Sequence, residues 1–222
     1  MIEVYQQQFK HQLVSPPFER WREYLRSVRK IQFDIVQRFE LGAADRSLTG
    51  EFYPFQDTVT ISNRNQHGEL VGLFGRKLED VEPKYVINAG YRKYATIFGL
   101  WQAKESIIQE GYALLTEGIF DVISLHQLGF INTIASPGKD WFPQQVALLR
   151  RYTDTVILLF DNDNTGRRFS NKCRSKFFES GFYVSKIQLK TVKDIDELIR
   201  KDATTAKQFL LRELSRKNNK ED

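Results

Sequence analysis

Two stretches constrain this chain more than anything else in it. They are Leu114-Leu115-Thr116-Glu117-Gly118-Ile119-Phe120-Asp121 and Val156-Ile157-Leu158-Leu159-Phe160-Asp161-Asn162-Asp163-Asn164-Thr165-Gly166. Each is a short apolar run that stops at carboxylates, with a glycine close behind. Short apolar runs bounded in this way read as buried strands. In a parallel α/β sheet the carboxyl ends of the strands are where ligands bind. Such a chain therefore delivers its acids to the ligand-binding edge.

The surrounding pattern supports a sheet of this kind. Strands are expected over residues 112–116, 131–135, 156–160 and 183–189. Helices are expected over 119–128, 143–151 and 165–178, with two more over 195–201 and 205–214. Gly129 and Gly181 close two of them, and Pro143 opens another. Strand and helix alternating at this spacing predict a mostly parallel sheet with right-handed crossovers. The tail over 216–222 is charged and expected to fray.

The first half reads differently. Phe18, Trp21, Tyr24 and Leu25 stand at helical spacing after Pro16-Pro17. That segment is either a helix packed on the body or a docking arm. Residues 31–41 read as a second helix stopped by Gly42, and 43–57 as loop. The alternating, β-branched run over 58–62, the turn cluster over 63–68 and the run over 70–75 predict a hairpin. A short strand is expected over 84–88 and a helix over 101–110, ended by Gly111.

Composition narrows the function classes. Hydrophobic residues make up 41% of the chain, enough for a real core, yet no apolar run is long enough for a membrane span. The N-terminus is mixed and polar, unlike a signal peptide. Cys173 is the only cysteine, which excludes an internal disulfide framework and a multi-cysteine zinc site. With one cysteine, a reducing, cytoplasmic setting is expected. The net charge of +5 favours polyanionic partners.

Asp161 and Asp163 are two residues apart, so in an extended segment they face the same way. Carboxylates converging at one edge repel one another unless a cation joins them. Oxygen ligands without His or Cys suit Mg²⁺ or Mn²⁺. Asp194 and Asp196 repeat the spacing after the next strand. Three acidic groups after three strands suit a two-metal phosphoryl-transfer site. Each acid also has a plainer role available. Asn164 or Thr165 could cap the helix over 165–178, and Asp194 could cap the one after it.

The two opening stretches resemble the toprim signature, shared by bacterial DnaG-type primases, topoisomerases of types IA and II and small nucleases. The flanking sequence is most similar to the primases. Asn132-Thr133-Ile134-Ala135-Ser136-Pro137-Gly138 is similar to a strand and small loop of those primases. Val192-Lys193-Asp194-Ile195-Asp196-Glu197-Leu198 is similar to their second acidic motif. Gly68-Glu69-Leu70-Val71-Gly72-Leu73-Phe74-Gly75-Arg76, Pro83-Lys84-Tyr85 and Lys93 resemble the hairpin and basic motifs upstream.

The resemblance implies an α/β toprim fold, a Rossmann-like parallel sheet flanked by helices, preceded by a smaller mixed α+β subdomain. The expected divisions are an N-terminal helical segment over 1–30, a basic subdomain over 31–111, a toprim domain over 112–190, and C-terminal helices with a charged tail over 191–222. It implies metal ligation and catalysis by Glu117, Asp161 and Asp163, with Asp121, Asp194 and Asp196 as supporting acids or further ligands. Arg64, Arg76, Lys84 and Lys93 would face the nucleotide or the template-primer backbone. Arg168, Lys172 and Lys176 form a basic stripe on the helix over 165–178 that could track phosphates or simply be solvated. Phe169, Cys173 and Phe177 form its apolar stripe.

The implied activity is DNA-templated RNA primer synthesis by a nucleotidyltransferase. It needs more than one Mg²⁺ or Mn²⁺ ion, NTPs and single-stranded DNA, and yields an RNA primer. The zinc-binding and helicase-binding modules of full bacterial primases do not fit in this chain. A replicative helicase or a separate zinc-bearing protein is therefore an expected partner. Phe55-Gln56-Asp57-Thr58 lacks the arginine of a basic run expected there. A toprim nuclease, and a non-catalytic nucleic-acid-binding module of a replication complex, are the competing classes. The basic series argues against the first and the intact set of acids against the second.

Overall fold

A computed structural model describes residues 1–136, 138, 140–190 and 192–218. The chain divides into two compact units, Met1–Arg92 and Lys93–Asp222.

The first unit holds helices α1 (Ile2–Val14), α2 (Glu19–Glu23) and α3 (Phe33–Arg38), and strands β1 (Gly42–Ala44), β2 (Thr58–Arg64), β3 (Leu70–Lys77) and β4 (Tyr85–Ile87). The strands form an antiparallel sheet in the order β1-β2-β3-β4. Its hairpin is the one the alternating run predicts. Phe9, Phe52, Phe55 and Leu73 fill the core, and the Tyr5 and Phe52 rings stack at 3.8 Å. Part of the stretch expected as loop is ordered: Gly42–Ala44 pairs with β2, and Gly50–Phe55 is a 3₁₀ helix. Gly-Ala-Ala carries no strand signal, because small residues have low β-propensity. Their smallness has a packing reason. A Cβ on Gly42 would stand 2.7 Å from the Phe9 carbonyl carbon, so only a glycine lets α1 lie this close. The expected helix over 31–41 is confined to α3.

The second unit contains α4 (Leu100–Glu110), β5 (Ala113–Thr116), α5 (Ile119–Gln127), β6 (Thr133–Ala135), α6 (Pro143–Leu149), β7 (Thr155–Leu158), α7 (Asn164–Glu179), β8 (Tyr183–Lys186), α8 (Ile195–Lys201) and α9 (Ala203–Asn218). The strands form a parallel sheet in the order β6-β5-β7-β8. Period-two alternation sorts their side chains. Ala113, Leu115, Val156 and Leu158 face a core shared with Leu100, Ile107, Trp141, Leu149, Cys173 and Phe177. Leu114 and Ile157 face another, with Leu125, Ile195, Ile199, Ala206 and Leu210. Helices thus cover both faces, as a parallel sheet requires.

The expected boundary after residue 111 falls inside this unit. Leu100, Ala103 and Ile107 of α4 are buried with the parallel sheet's own side chains, and burial rather than the turn at Gly111 decides where a unit ends. The strand expected over 183–189 ends at Lys186. In the tail, Arg216 and Lys217 continue α9, and residues 219–222 lie outside the described residues, as does Pro137. Among the described residues no helix is long and apolar enough to cross a membrane.

The topology already marks a site. From β5 the chain goes to β6 on one side, then to β7 on the other, so the order reverses between β5 and β7. That switch point opens a crevice at the carboxyl ends of these two strands.

The sheet centre should dominate the stability of the second unit. Leu115 is fully buried on β5, so Leu115→Ala is expected to cost about 3 kcal/mol, from lost transfer energy and a residual cavity. Urea denaturation followed by circular dichroism reads it. A loss well under about 1 kcal/mol would mean that this strand does not anchor the core.

Candidate metal and phosphate site

Glu117 follows β5 directly, and Asp161 follows β7 after Leu159 and Phe160. Leu159 still donates its N–H to the Leu115 carbonyl at 2.9 Å, so the pairing runs on past the strand. One residue pair farther, the Asp161 N–H donates to Glu117 Oε1 at 3.0 Å. A side chain thus takes over from the backbone ladder at the edge of the crevice.

Helix α7 starts against this contact. Asp163 is its N-cap and accepts from the Gly166 N–H at 2.8 Å. A Cβ on Gly166 would stand 2.3 Å from the Asp161 carbonyl oxygen and 2.6 Å from Glu117 Oε1. Only glycine permits α7 to begin there. Asp194 caps α8, accepting from the Glu197 N–H at 2.7 Å. The Asn162 N–H donates to the Lys193 carbonyl at 2.7 Å, which hooks the segment before α8 onto the segment before α7. So Asp163 rather than Asn164 or Thr165 is the cap of α7.

The four acids act on one another. Burial, and then the charges of Glu117, Asp194 and Asp163, push the Asp161 carboxyl up to about 7, with Lys193 opposing. Burial also raises Glu117, the Asp161 N–H counteracts it, and Asp163 and Asp194 add to the rise. Lys193 puts a cation beside these acids, its Nζ 3.9 Å from Asp163 Oδ2. Sequence reasoning did not single out Lys193 as a site residue. Its signal was a lone cation directly before an acidic pair.

Asp121 and Asp196 stand differently. Both are buried. Asp121 accepts from the Gly118 N–H at 2.9 Å and the Asp196 N–H at 3.3 Å. Burial, then the charges of Asp194, Asp161 and Asp196, hold its carboxyl well above the usual range. Asp196 accepts from Ser124 Oγ at 2.6 Å and Arg200 Nε at 2.9 Å. These contacts tie α5 to α8.

The donor set fits a hard divalent cation: carboxylate oxygens only, near enough to raise one another's proton affinity, with the Lys193 amine opposing them. Toprim and DnaG-type folds are in general divalent-metal dependent, and the chemistry here agrees. Among the described residues, however, no three His, Cys, Asp or Glu side chains are already gathered around a common point. The reason is visible in the hydrogen bonds. Glu117, Asp163 and Asp194 each accept from a backbone N–H, which commits those oxygens to the protein.

The predicted basic residues divide between the units. In the first, Arg64 forms a two-pronged pair with Glu40, at 2.7 and 2.8 Å. Arg76 is buried, with its guanidinium on the Lys77 and Glu79 carbonyls. Lys84 pairs with Asp80 at 2.8 Å. In the second, Lys93 lies over the Phe142 ring at 5.8 Å, Arg168 is exposed on α7, and Lys172 and Lys176 both reach Asp140. Cys173 and Phe177 are buried and Phe169 partly so, as the apolar stripe predicts.

Two outcomes follow from this geometry. A carboxyl whose folded pKa lies above its unfolded value stabilises the fold at low pH and loses that contribution as pH rises. For Asp161 the loss runs from about pH 4 to about pH 7 and persists above. At pH 8 in EDTA, Asp161→Asn is therefore expected to raise the melting temperature by about 5 °C, and to give no gain near pH 4. Mg²⁺ should raise the melting temperature of the parent and not of the variant. A variant that melts lower at pH 8 would refute this account of the site. Second, Gly166→Ala must displace either Glu117 or the start of α7, an overlap costing roughly 1–3 kcal/mol. Calorimetry with and without Mg²⁺ checks it, and an unchanged metal response would contradict the close approach.

Comparison with known proteins places these features in a family. A toprim-like family model (Toprim_2) matches residues 114–199, the segment that carries every acid described above. A DNA primase of Synechococcus elongatus is 28% identical over 251 aligned positions, covering 95% of this chain and 36% of that protein. The zinc-binding and RNA polymerase domains of the Aquifex aeolicus primase superpose with a TM-score of 0.82 at 26% identity, covering 95% of this chain and 58% of that one. A structure of the DnaG primase catalytic domain bound to ssDNA gives a TM-score of 0.79 at 23% identity, covering 96% and 80%. The chain spans about a third of the length of the curated relatives it matches. With the sheet order, the switch-point acids and this likeness in agreement, the chain carries a toprim-like domain and matches the toprim-bearing catalytic core of DnaG-type primases.

Proposed function

We propose that this chain synthesises short RNA primers on single-stranded DNA from NTPs, by nucleotidyl transfer at the edge formed by Glu117, Asp161 and Asp163. The observation that carries the reading is the mutual crowding of these carboxylates at the β5–β7 switch point, inside the toprim-like segment. The names of its relatives, DNA primases, point the same way.

Glu117, Asp161 and Asp163 would hold more than one Mg²⁺ or Mn²⁺, with Asp194 at their flank. The chemistry supplied there would be Lewis-acid activation of the primer 3′-hydroxyl and neutralisation of the departing pyrophosphate. The chain's own residues set the stage. Asp163 and Asp194 fix the first turns of α7 and α8. Asp121 and Asp196 serve as supports, holding Gly118 and the start of α8 in place. Lys193 restrains Asp163. Arg64, Arg76, Lys84, Lys93, Arg168 and Lys172 are proposed for contacts to nucleotide or template phosphates, a role that favours cations opposite developing negative charge. Single-stranded DNA as template is supported by the ssDNA-bound DnaG relative. The reading places the protein in the cytoplasm, at replicating DNA, with a replicative helicase and a zinc-bearing protein as partners.

The test is a primer-synthesis assay with single-stranded DNA, labelled NTPs and Mg²⁺ or Mn²⁺. Ladders of labelled RNA are expected. They should fall by a factor of order 10² or more in Asp161→Ala and Asp163→Ala. Loss of the DNA without NTP incorporation would replace the proposal with a nuclease. Salt-sensitive DNA binding with neither activity would replace it with a binding module.

A further inference from the structure

The edge strand β8 borders a second cavity, made by residues after that strand together with α8 and α9, of about 630 Å³. Its lining carries four cations, Lys186, Lys190, Arg212 and Arg216, against one carboxylate, Glu213. Glu213 orients both guanidiniums, with Arg216 Nη1 at 2.8 Å and Arg212 Nε at 3.8 Å. Among the described residues, Lys186 and Lys190 have no carboxylate at ion-pair distance. A concave surface with this excess of positive charge attracts a polyanion.

The cavity is not merely charged. Phe209 lines it with one side of its ring on the core, and the Arg212 guanidinium lies 6.0 Å from the ring centroid. Leu198 and Val192 add apolar wall. An aromatic face bounded by cations is how single strands are held without sequence preference: a base on the ring, and phosphates on the cations. The cations are also spread out. Arg212 and Arg216 stand one turn apart on α9, and Lys186 and Lys190 are four residues apart at the end of β8. Spacing of this kind suits successive phosphates of a strand better than one phosphate group. Val192 is also followed by Lys193, which reaches Asp163 and accepts from the Asn162 N–H. The cavity wall therefore runs into the acidic edge along the chain.

We infer that this cavity is a nucleic-acid subsite that seats one nucleotide of a single strand, its base on Phe209 and its flanking phosphates on Lys186, Lys190, Arg212 and Arg216. The subsite needs no metal and does not depend on nucleotidyl transfer.

The test is fluorescence anisotropy of the full chain with a labelled oligothymidylate of about 15 nucleotides, in EDTA, over a salt series. Lys186→Gln/Lys190→Gln should weaken binding about tenfold and flatten the plot of log K against log salt by about 1.4, two contacts at 0.7 each. Phe209→Leu keeps apolar volume against the core and removes the aromatic face. It should weaken binding about fivefold or more, with an unchanged melting temperature checking the fold. An affinity and salt slope untouched by the lysine pair overturn the subsite, as does a Phe209→Leu chain that folds and binds like the parent. Labelled ATP bound in place of the oligonucleotide, and lost in the lysine variant, overturns the strand and makes the occupant a free nucleotide. The double variant's effect should persist in an Asp161→Ala background, so failure of primer synthesis and failure of this subsite are read separately.

Discussion

The contact on which the acidic edge depends is the hydrogen bond from the Asp161 N–H to the Glu117 carboxylate, with Gly166 pressed against both. It extends the β5–β7 pairing one step beyond the strands, using a side chain where the backbone ladder stops. Because Gly166 has no Cβ, α7 can start at that contact. Because α7 starts there, Asp163 is its cap and stands beside Glu117. Because Asn162 holds the Lys193 carbonyl, Asp194 is delivered to the same place. Backbone hydrogen bonds and one missing methyl group thus bring four carboxylates near enough to act on one another's charge, short of gathering them around one point.

The arrangement is electrostatically costly, and the cost is local. Burial, and then the charges of its neighbours, push the Asp161 carboxyl up to about 7. A fold keeps such a cluster only where the surrounding structure holds it in place. Here the restraint is the buried set of Asp121, Ser124 and Asp196, with the half-buried Arg200 on Asp196, which joins α5 to α8. Asp121 and Asp196 are the acids whose oxygens are most occupied by protein. Glu117, Asp161 and Asp163 are partly exposed. One spacing rule in the sequence thus produced acids of two kinds, and burial separates them.

Much of this was legible beforehand, for identifiable reasons. The parallel sheet followed from apolar runs at regular spacing, and its strands ended close to where the acids begin. The apolar stripe of α7 followed from helical period. Gly42–Ala44 was illegible because its residues are chosen for the approach of Phe9, a contact remote in sequence. The cap of α7 was misplaced by one residue or two, since Asp163, Asn164 and Thr165 are all competent caps and only the start of the helix decides among them. The boundary between units was illegible because α4 packs forward onto a sheet that the chain has yet to form. No spacing rule could show that the carboxylates would meet backbone amides, because that depends on the loops after β5 and β7 coming together.

The basic residues show the same division between what pattern and packing decide. Spacing and resemblance treated Arg64, Arg76, Lys84 and Lys172 alike, as cations for phosphate. Packing does not. Lys84 holds an exposed partner, Asp80, and Lys172 is itself exposed on the half-buried Asp140, which Lys176 also holds; pairs with so exposed a cation contribute about 0–1 kcal/mol each. A phosphate with its greater charge can draw either lysine away at little cost, since Asp80 stays in solvent and Asp140 keeps Lys176 and the Trp141 N–H. The Arg64–Glu40 pair is two-pronged and half-buried, and desolvation makes an unpaired Glu40 expensive. Arg76 is buried, on backbone carbonyls that would lose their donor if it swung outward. Charge alone therefore ranks these four equally for a polyanion, whereas the contacts they already make rank Lys84 and Lys172 first and Arg76 last.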